Sequence, residues 1–347
     1  MARQNLESIT RWITAAAQRR PHALDAELAA RTHVSPRSAR RTLARLVELN
    51  WLVREGSVRK PSWRPGLLRQ VVQCYELAGL EEDIPWSLDF APYVVLPPNV
   101  LRLVQHTFCE LLNNAIGHSG GTHVTVSLRQ TAGQVQLLVS DNGVGLFERV
   151  AQTFSIASPA LAMLELSKGK LTSQPARHTG EGLFFTSRLA DVFDLHANDA
   201  AFQQRAWDER GWHPQQRTLR HAGTSVYAAF ALDTPRTLDG VRRAYSVSHD
   251  GDPHGVEFSR TVVPLRLITS ATEGLESRAQ ARRVGARLAQ FRRAEIDFGG
   301  VPSIGHAFAD ELFRVYGAGQ ESLELVPINM TPAVAALVAS VRQPRSP

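Results

Sequence analysis

Apolar residues in the first sixty positions recur at helical spacing, and turn chemistry breaks them into segments. Leu6, Ile9, Ile13 and Ala17 share one face and predict a helix over about 5–19. Leu24-Asp25 opens a short helix from Ala26 to Arg31. Ser35 is a good N-cap and Pro36 suits the first helical position, so a third helix starts there and runs to about Leu49. It is two-sided, with Ala39, Leu43, Leu46 and Val47 opposite a stripe of Arg37, Arg41 and Arg45, and with Arg40 beside the stripe. Trp51-Leu52-Val53 and Ser57-Val58-Arg59 flank Glu55-Gly56 and read as a β-hairpin. Leu67, Leu68, Val71, Val72 and Tyr75 then predict a connecting helix from Gly66 to Leu80. Asp89-Phe90-Ala91-Pro92 and Leu96-Pro97-Pro98 read as loop.

Beyond residue 98 the period changes twice. Val100, Leu103, Val104, Thr107, Leu111 and Leu112 form the core side of a long helix from about Asn99 to Gly117. Val124, Val126 and Leu128 alternate as a strand. Val135, Leu137 and Val139 alternate as the next, which runs into Asp141-Asn142-Gly143-Val144-Gly145. A helix is expected from Leu183 to about Phe193, then a polar insertion over 198–222 with Trp207 and Trp212 as packing residues, then a strand from Ser225 to Phe230. The last hundred residues alternate strand and helix: Thr261–Leu267, Leu275–Phe291, Ala294–Phe298, His306–Tyr316, Leu323–Pro327 and Pro332–Val341. That alternation indicates an α/β domain.

With 347 residues, 43% of them apolar and 21% charged, the chain is a multidomain globular protein. No apolar run reaches membrane-spanning length and no signal-peptide core is present, so a cytoplasmic protein is expected. Cys74 and Cys109 match no metal or redox spacing and are expected as reduced, buried thiols. The net charge of +6 is unevenly placed: residues 1–64 hold thirteen Lys and Arg against five Asp and Glu, the rest twenty-six against twenty-eight. That placement is what is expected if only the first segment meets a polyanion.

Candidate chemistry lies on the long helix and the glycine-rich turns. Glu110 and Asn114 are one helical turn apart and leave the helix on one face. The adjacent Asn113-Asn114 pair is poor helix chemistry, kept there by something other than propensity. The glycines at 143 and 145, and those at 180 and 182, allow close backbone approach. Lys168-Gly169-Lys170 lies between the two turns, and each lysine reads either as a phosphate contact or as surface charge.

Three helices followed by a hairpin resemble a winged helix-turn-helix. That resemblance implies DNA contact by Arg37, Arg40, Arg41 and Arg45 in the major groove, with Arg54, Arg59 and Lys60 of the wing on phosphate. The alternative is a solvated arginine face. Residues 98–232 resemble the GHKL ATPase superfamily of gyrase, MutL, histidine kinases and anti-sigma-factor kinases. Glu110-Leu-Leu-Asn-Asn114-Ala-Ile-Gly-His118 looks like its N-box, Asp141-Asn-Gly143-Val-Gly145 its first glycine box, and Thr179-Gly180-Glu181-Gly182-Leu183 its second, with Thr224 on the adenine side. The resemblance implies ATP and magnesium as cofactors, Asn114 as metal ligand, Asp141 as acceptor for the adenine amino group, Gly180 and Gly182 as phosphate-binding backbone, and Glu110 as general base. Residues 146–179 would be the ATP lid. No histidine lies between residues 34 and 105, so the phospho-accepting helix of a histidine kinase is not in its place.

Ile296 to Leu312 resembles a STAS domain, in which a Ser or Thr at the start of the helix after the strand is phosphorylated. Here that position reads Gly305-His306, so the module is expected to dock or sense rather than accept phosphate. Its basic helix, with Arg278, Arg282, Arg283 and Arg287, is expected to be solvated. The organisation expected is therefore a winged helix at 1–64, a connector at 65–97, a two-layer α/β sandwich of the GHKL (Bergerat) type at 98–235 and a STAS-like α/β domain at 240–347. The functions expected are an ATP-binding, DNA-binding transcription regulator or, alternatively, a Ser/Thr protein kinase of the anti-sigma type. A protein partner at 240–347 and a homodimer are further expectations.

Overall fold

The computed structural model describes residues 6–172, 179–208, 211–215, 221–248, 256–269, 274–320 and 322–342. The chain divides into two compact units, one of Met1–Gly143 with Gly223–Pro235 and one of Val144–Ala222 with Arg236–Pro347.

The first unit begins with α1 (Leu6–Arg19), α2 (Leu24–Thr32) and α3 (Pro36–Glu48), followed by the antiparallel hairpin of β1 (Leu52–Gly56) and β2 (Pro61–Pro65). The Ser35 hydroxyl accepts the Ser38 N–H and starts α3 as its sequence requires. Ile9, Ile13, Leu24, Leu28, Leu43 and Leu46 close a core that Trp51 and Trp63 of the hairpin complete. The chain then forms β3 (Arg69–Glu76), a short helix α4 (Asp83–Pro85), a π-helical turn over 86–90 and a 3-10 turn over 91–93. The long helix α5 (Pro98–His118) follows, then β4 (His123–Gln130) and β5 (Gln134–Asp141). Within this unit β3, β4, β5 and β9 (His221–Ala231) pair antiparallel in that order. Helix α5 lays Val100, Leu103, Val104, Thr107, Phe108, Leu111, Leu112 and Ala115 into the core. Trp86 and Phe90 pack on Phe108 with ring centroids 5.2 and 5.1 Å apart. The N-terminal head is joined to the sheet at its edge. The Gln70 N–H donates to Thr14 Oγ1 at 3.1 Å, Gln18 Nε2 to the Pro92 carbonyl at 2.9 Å and Arg19 Nε to the Tyr93 hydroxyl at 2.7 Å.

The second unit holds α6 (Leu146–Phe154), α7 (Pro159–Lys168), α8 (Gly182–Leu189), and the antiparallel strands β6 (Val192–Asn198), β7 (Ala200–Arg205) and β8 (His213–Pro214). After α9 (Leu238–Ala244) and the hairpin of β10 (Ser246–Ser248) and β11 (Val256–Phe258), a parallel three-stranded sheet forms. Its strands are β12 (Arg260–Pro264), β13 (Arg293–Asp297) and β14 (Glu324–Ile328), in that order. Helices α10 (Arg278–Gly285), α11 (His306–Ala309) with a π-helical continuation to Tyr316, and α12 (Pro332–Arg342) complete the alternating pattern.

Several expectations are corrected. The connecting helix over Gly66–Leu80 is a strand: Val71, Val72 and Tyr75 are β-branched or aromatic, and pairing with all of β4 overrides the local spacing. The loop around Asp89–Pro92 is helical turns. Helix α8 ends at Leu189, where Ala190 turns extended, and Phe193, Leu195 and Ala197 alternate inward along β6. The helix expected over Leu275–Phe291 is only α10, since Leu275 makes a parallel bridge to Ile304 and Ser277 with Gln280 forms a capping box. Of its basic face, Arg278, Arg282 and Arg283 are exposed as expected, whereas Arg287 is half-buried. Arg282 Nε donates to Glu311 Oε1 at 2.7 Å and Arg278 lies 3.6 Å from Asp310. Cys74 is exposed and Cys109 half-buried, so neither is a core thiol. Of the two tryptophans in the insertion, Trp212 packs on Phe193 but Trp207 is 70% exposed.

Candidate functional site

In the first unit the strongest feature is the end of β5. Asp141 is buried, and its Oδ1 accepts two backbone N–H groups, from Gly143 at 2.8 Å and Thr224 at 3.2 Å. Asn142 ties this turn to the start of β4: its Oδ1 accepts the N–H groups of Thr122 and His123 at 2.8 and 2.9 Å. Any side chain on Gly143 would place its Cβ 2.2 Å from the Ser119 carbonyl oxygen, and one on Gly223 would lie 2.2 Å from that of Asp141. Backbone segments thus pack around one ionisable carboxylate. Two amide donors fix its Oδ1, and this geometry suits a fixed acceptor for an amino group of a bound base.

Glu110, Asn113, Asn114 and His118 are all half-buried on α5, whose other face is in the core. The Cys109 thiol is pushed up to about 11, first by burial and then by the negative neighbours Glu82, Glu110 and Asp83. Glu110 is thus one of three carboxylates whose charge is felt at Cys109.

The second unit carries the other predicted residues. Gly145 adopts φ 90 and caps α6, and Asn198 packs against it while donating to the Val144 carbonyl at 2.8 Å. Gly180 adopts φ 72, and Gly182 is the first residue of α8. Thr179 is exposed and Leu183 half-buried. Burial raises the Glu181 carboxyl above its ordinary value, although Lys170 and Arg242 pull it down. Lys168 is fully buried. Its ammonium donates to Glu165 Oε1 at 2.6 Å and to the Ala286 carbonyl at 2.9 Å. Lys170 is half-buried and donates to the Gln290 carbonyl at 3.0 Å. Sequence reasoning missed Asn198 and Glu165, and read Arg287 only as a solvated residue of a basic helix; Arg287 reaches Glu165, Gly169 and Lys170 far back in the chain. Asn142 was named only as part of its motif.

All seven basic residues singled out in the N-terminal head are exposed. Arg40 of α3 and Arg54, Arg59 and Lys60 of the hairpin line one concave surface together with His22 and Trp63. Arg37, Arg41 and Arg45 lie outside it. Arg45 pairs with Glu48 at 2.8 Å, and Arg40 is 3.5 Å from Asp25.

In the first unit the helix that carries Glu110 and Asn114 accompanies an antiparallel sheet. Residues 99–210 match the family model for histidine kinase-, DNA gyrase B-, and HSP90-like ATPases. Residues 280–334 match that of the STAS-like domain of unknown function (DUF4325). The first match takes in Glu110, Asp141 and Gly182 and stops before Thr224. No curated protein matches the chain. Among the described residues no helix is long and apolar enough to cross a membrane.

Proposed function

We propose that this chain binds Mg-ATP and duplex DNA, and that the nucleotide regulates the DNA-binding head. The observation that carries the nucleotide reading is Asp141: a buried carboxylate with two backbone donors on one oxygen is built to accept, and the adenine amino group is what it would take. Thr224 stands beside it. Asn114 would offer its side-chain oxygen to magnesium. Among the described residues no cluster of three His, Cys, Asp or Glu is placed to hold a metal, so the phosphates would supply further ligands. Asn113 and His118 would support that helix face. Within the second unit, Gly145, Thr179, Gly180, Glu181, Gly182 and Leu183 would supply backbone that a phosphate can approach, with the N-terminus of α8 adding its dipole. Lys170 remains a candidate phosphate contact, whereas the Lys168 ammonium is committed to Glu165 and Ala286.

The DNA reading rests on charge and shape. The head carries the whole positive excess of the chain, and Arg40, Arg54, Arg59 and Lys60 share one concave face. Its three helices and hairpin follow the winged-helix order. The hydrogen bonds from α1 to Gln70, Pro92 and Tyr93 offer a route from the sheet that ends in Asp141 to the head. The test is the affinity of a duplex with and without Mg-ATP, in the natural chain and in Asp141→Asn. An affinity that ignores ATP removes the coupling.

A second reading, a Ser/Thr protein kinase, is favoured by Glu110 standing half-buried one turn before Asn114. Transfer of labelled phosphate from ATP to protein, lost in Glu110→Ala, would establish it. The STAS-like domain would then serve as a docking surface for a protein partner, and a homodimer would fit either reading.

A further inference from the structure

Three consecutive carbonyls at the end of α7 are held by the C-terminal domain. Thr261 Oγ1 donates to the Lys168 carbonyl at 2.7 Å. Arg287 Nη2 donates to those of Gly169 and Lys170, at 3.4 and 2.8 Å. The clasp is reciprocal: Lys168 Nζ reaches the Ala286 carbonyl and Lys170 Nζ that of Gln290. Glu165 is held between Lys168 and Arg287, at 2.6 and 3.4 Å. Apolar contact reinforces this, for a Cβ on Gly169 would come within 2.7 Å of the Phe258 ring. Arg287 adopts φ 64, a left-handed conformation that costs a non-glycine residue energy and persists where its surroundings hold it.

Past this clasp the chain meets the second glycine turn, at Gly180–Gly182. Leu171 lies against Gly180, whose Cβ, if it had one, would sit 2.6 Å from the Leu171 carbonyl. A chain of direct contacts thus runs from Arg287 through Lys170 and Leu171 to Gly180, all within one compact unit.

We infer that the STAS-like domain positions the second glycine turn, with Arg287 as the positioning residue acting through the 168–171 backbone. For its effect on phosphate the inference rests on the nucleotide reading above. The domain is then part of the site's support, and a partner that pulls on it changes nucleotide affinity without touching nucleotide.

The test uses the full chain, Arg287→Ala and Thr261→Val. Two quantities are read: affinity for Mg-ATP and for adenosine by calorimetry, and amide hydrogen exchange at Gly169–Leu171 and Gly180–Leu183 without nucleotide. Arg287→Ala is expected to weaken Mg-ATP about tenfold, leave adenosine unchanged and speed exchange at both segments. Thr261→Val is expected to act in the same direction by less, and it carries the test if Arg287→Ala does not fold. Unchanged exchange at Gly180–Leu183 in both variants overturns the inference, as does equal weakening of adenosine and Mg-ATP. If the natural chain binds no nucleotide, the nucleotide reading fails by itself, and the exchange data still decide whether the C-terminal domain positions the turn.

Discussion

The carboxylate of Asp141 accepts the backbone N–H of Thr224, 83 positions further along, while the same oxygen takes the N–H of Gly143. One atom thus pins the end of β5 to the start of β9 and orients the carboxyl group. Asp141→Asn keeps that shape but replaces one acceptor by an NH₂ donor. Whichever way the amide turns, it faces either the two backbone N–H groups or the adenine amino group with a donor. Mg-ATP affinity should fall by at least ~10-fold, with the circular dichroism spectrum unchanged. Calorimetry showing natural affinity in this variant would remove Asp141 as the base-recognising group.

Gly223 tests the packing around that carboxylate. Its φ of 93 and the 2.2 Å approach of a Cβ to the Asp141 carbonyl oxygen both forbid a side chain. Gly223→Ala should cost about 2 kcal/mol in urea unfolding and carry Mg-ATP affinity down with it. Gly133→Ala is the matching control, because a Cβ there meets nothing within 4 Å and φ is ordinary. Equal midpoints for the two variants would show that the turn tolerates what its geometry excludes.

What could be read from the chain follows the physical range of each signal. The buried face of α5 repeats every three or four residues, and β4 and β5 alternate, so one short window holds their whole message. The turn at Asp141–Gly145 was readable because glycine is needed at φ 90 in Gly145 and by close packing at Gly143. Strand β3 was misread because Leu67, Leu68, Val71, Val72 and Tyr75 fit helical spacing, while its partner β4 lies some fifty residues on. The head's three helices fell where periodicity put them, but in the hairpin Glu55 and Gly56 belong to the first strand and the second runs over Pro61–Pro65 rather than Ser57–Arg59, past a longer turn. The Lys168–Glu165 pair sits at i,i+3 spacing, but its burial left no local trace: Arg287 is 122 positions from Glu165, and a lysine beside a glycine looks like surface charge until the fold brings Ala286 to it.

Cysteine reactivity reports on the charge of Glu110. Cys74 is exposed on β3, whereas the Cys109 thiol is raised to about 11 from 9.0 by burial and by Glu82, Glu110 and Asp83. At pH 8 only about one Cys109 in a thousand is then thiolate. Iodoacetamide followed by mass spectrometry should modify Cys74 first, with Cys109 gaining about tenfold in rate per pH unit until its own pKa. Glu110→Gln removes one negative neighbour and should speed Cys109 while leaving Cys74 unchanged. No acceleration would mean that Glu110 carries no charge felt at this helix.

The salt dependence of DNA binding separates a phosphate-contacting head from an arginine face that is merely solvated. Each Lys or Arg that neutralises a phosphate releases condensed counterions, so its loss lowers the slope of log affinity against log salt by about one. Arg59→Ala and Lys60→Ala remove cations from the concave surface between α3 and the hairpin, and each should reduce the slope by about that amount on any duplex. Arg45→Ala is the comparison, since Arg45 lies outside that surface and is already paired with Glu48, so its loss should change the slope by less. Fluorescence anisotropy over a range of salt concentrations measures all three. If the slopes of Arg59→Ala and Lys60→Ala equal that of the natural chain, the positive charge of the head serves solvent or a protein partner, and the nucleotide domain regulates something other than DNA.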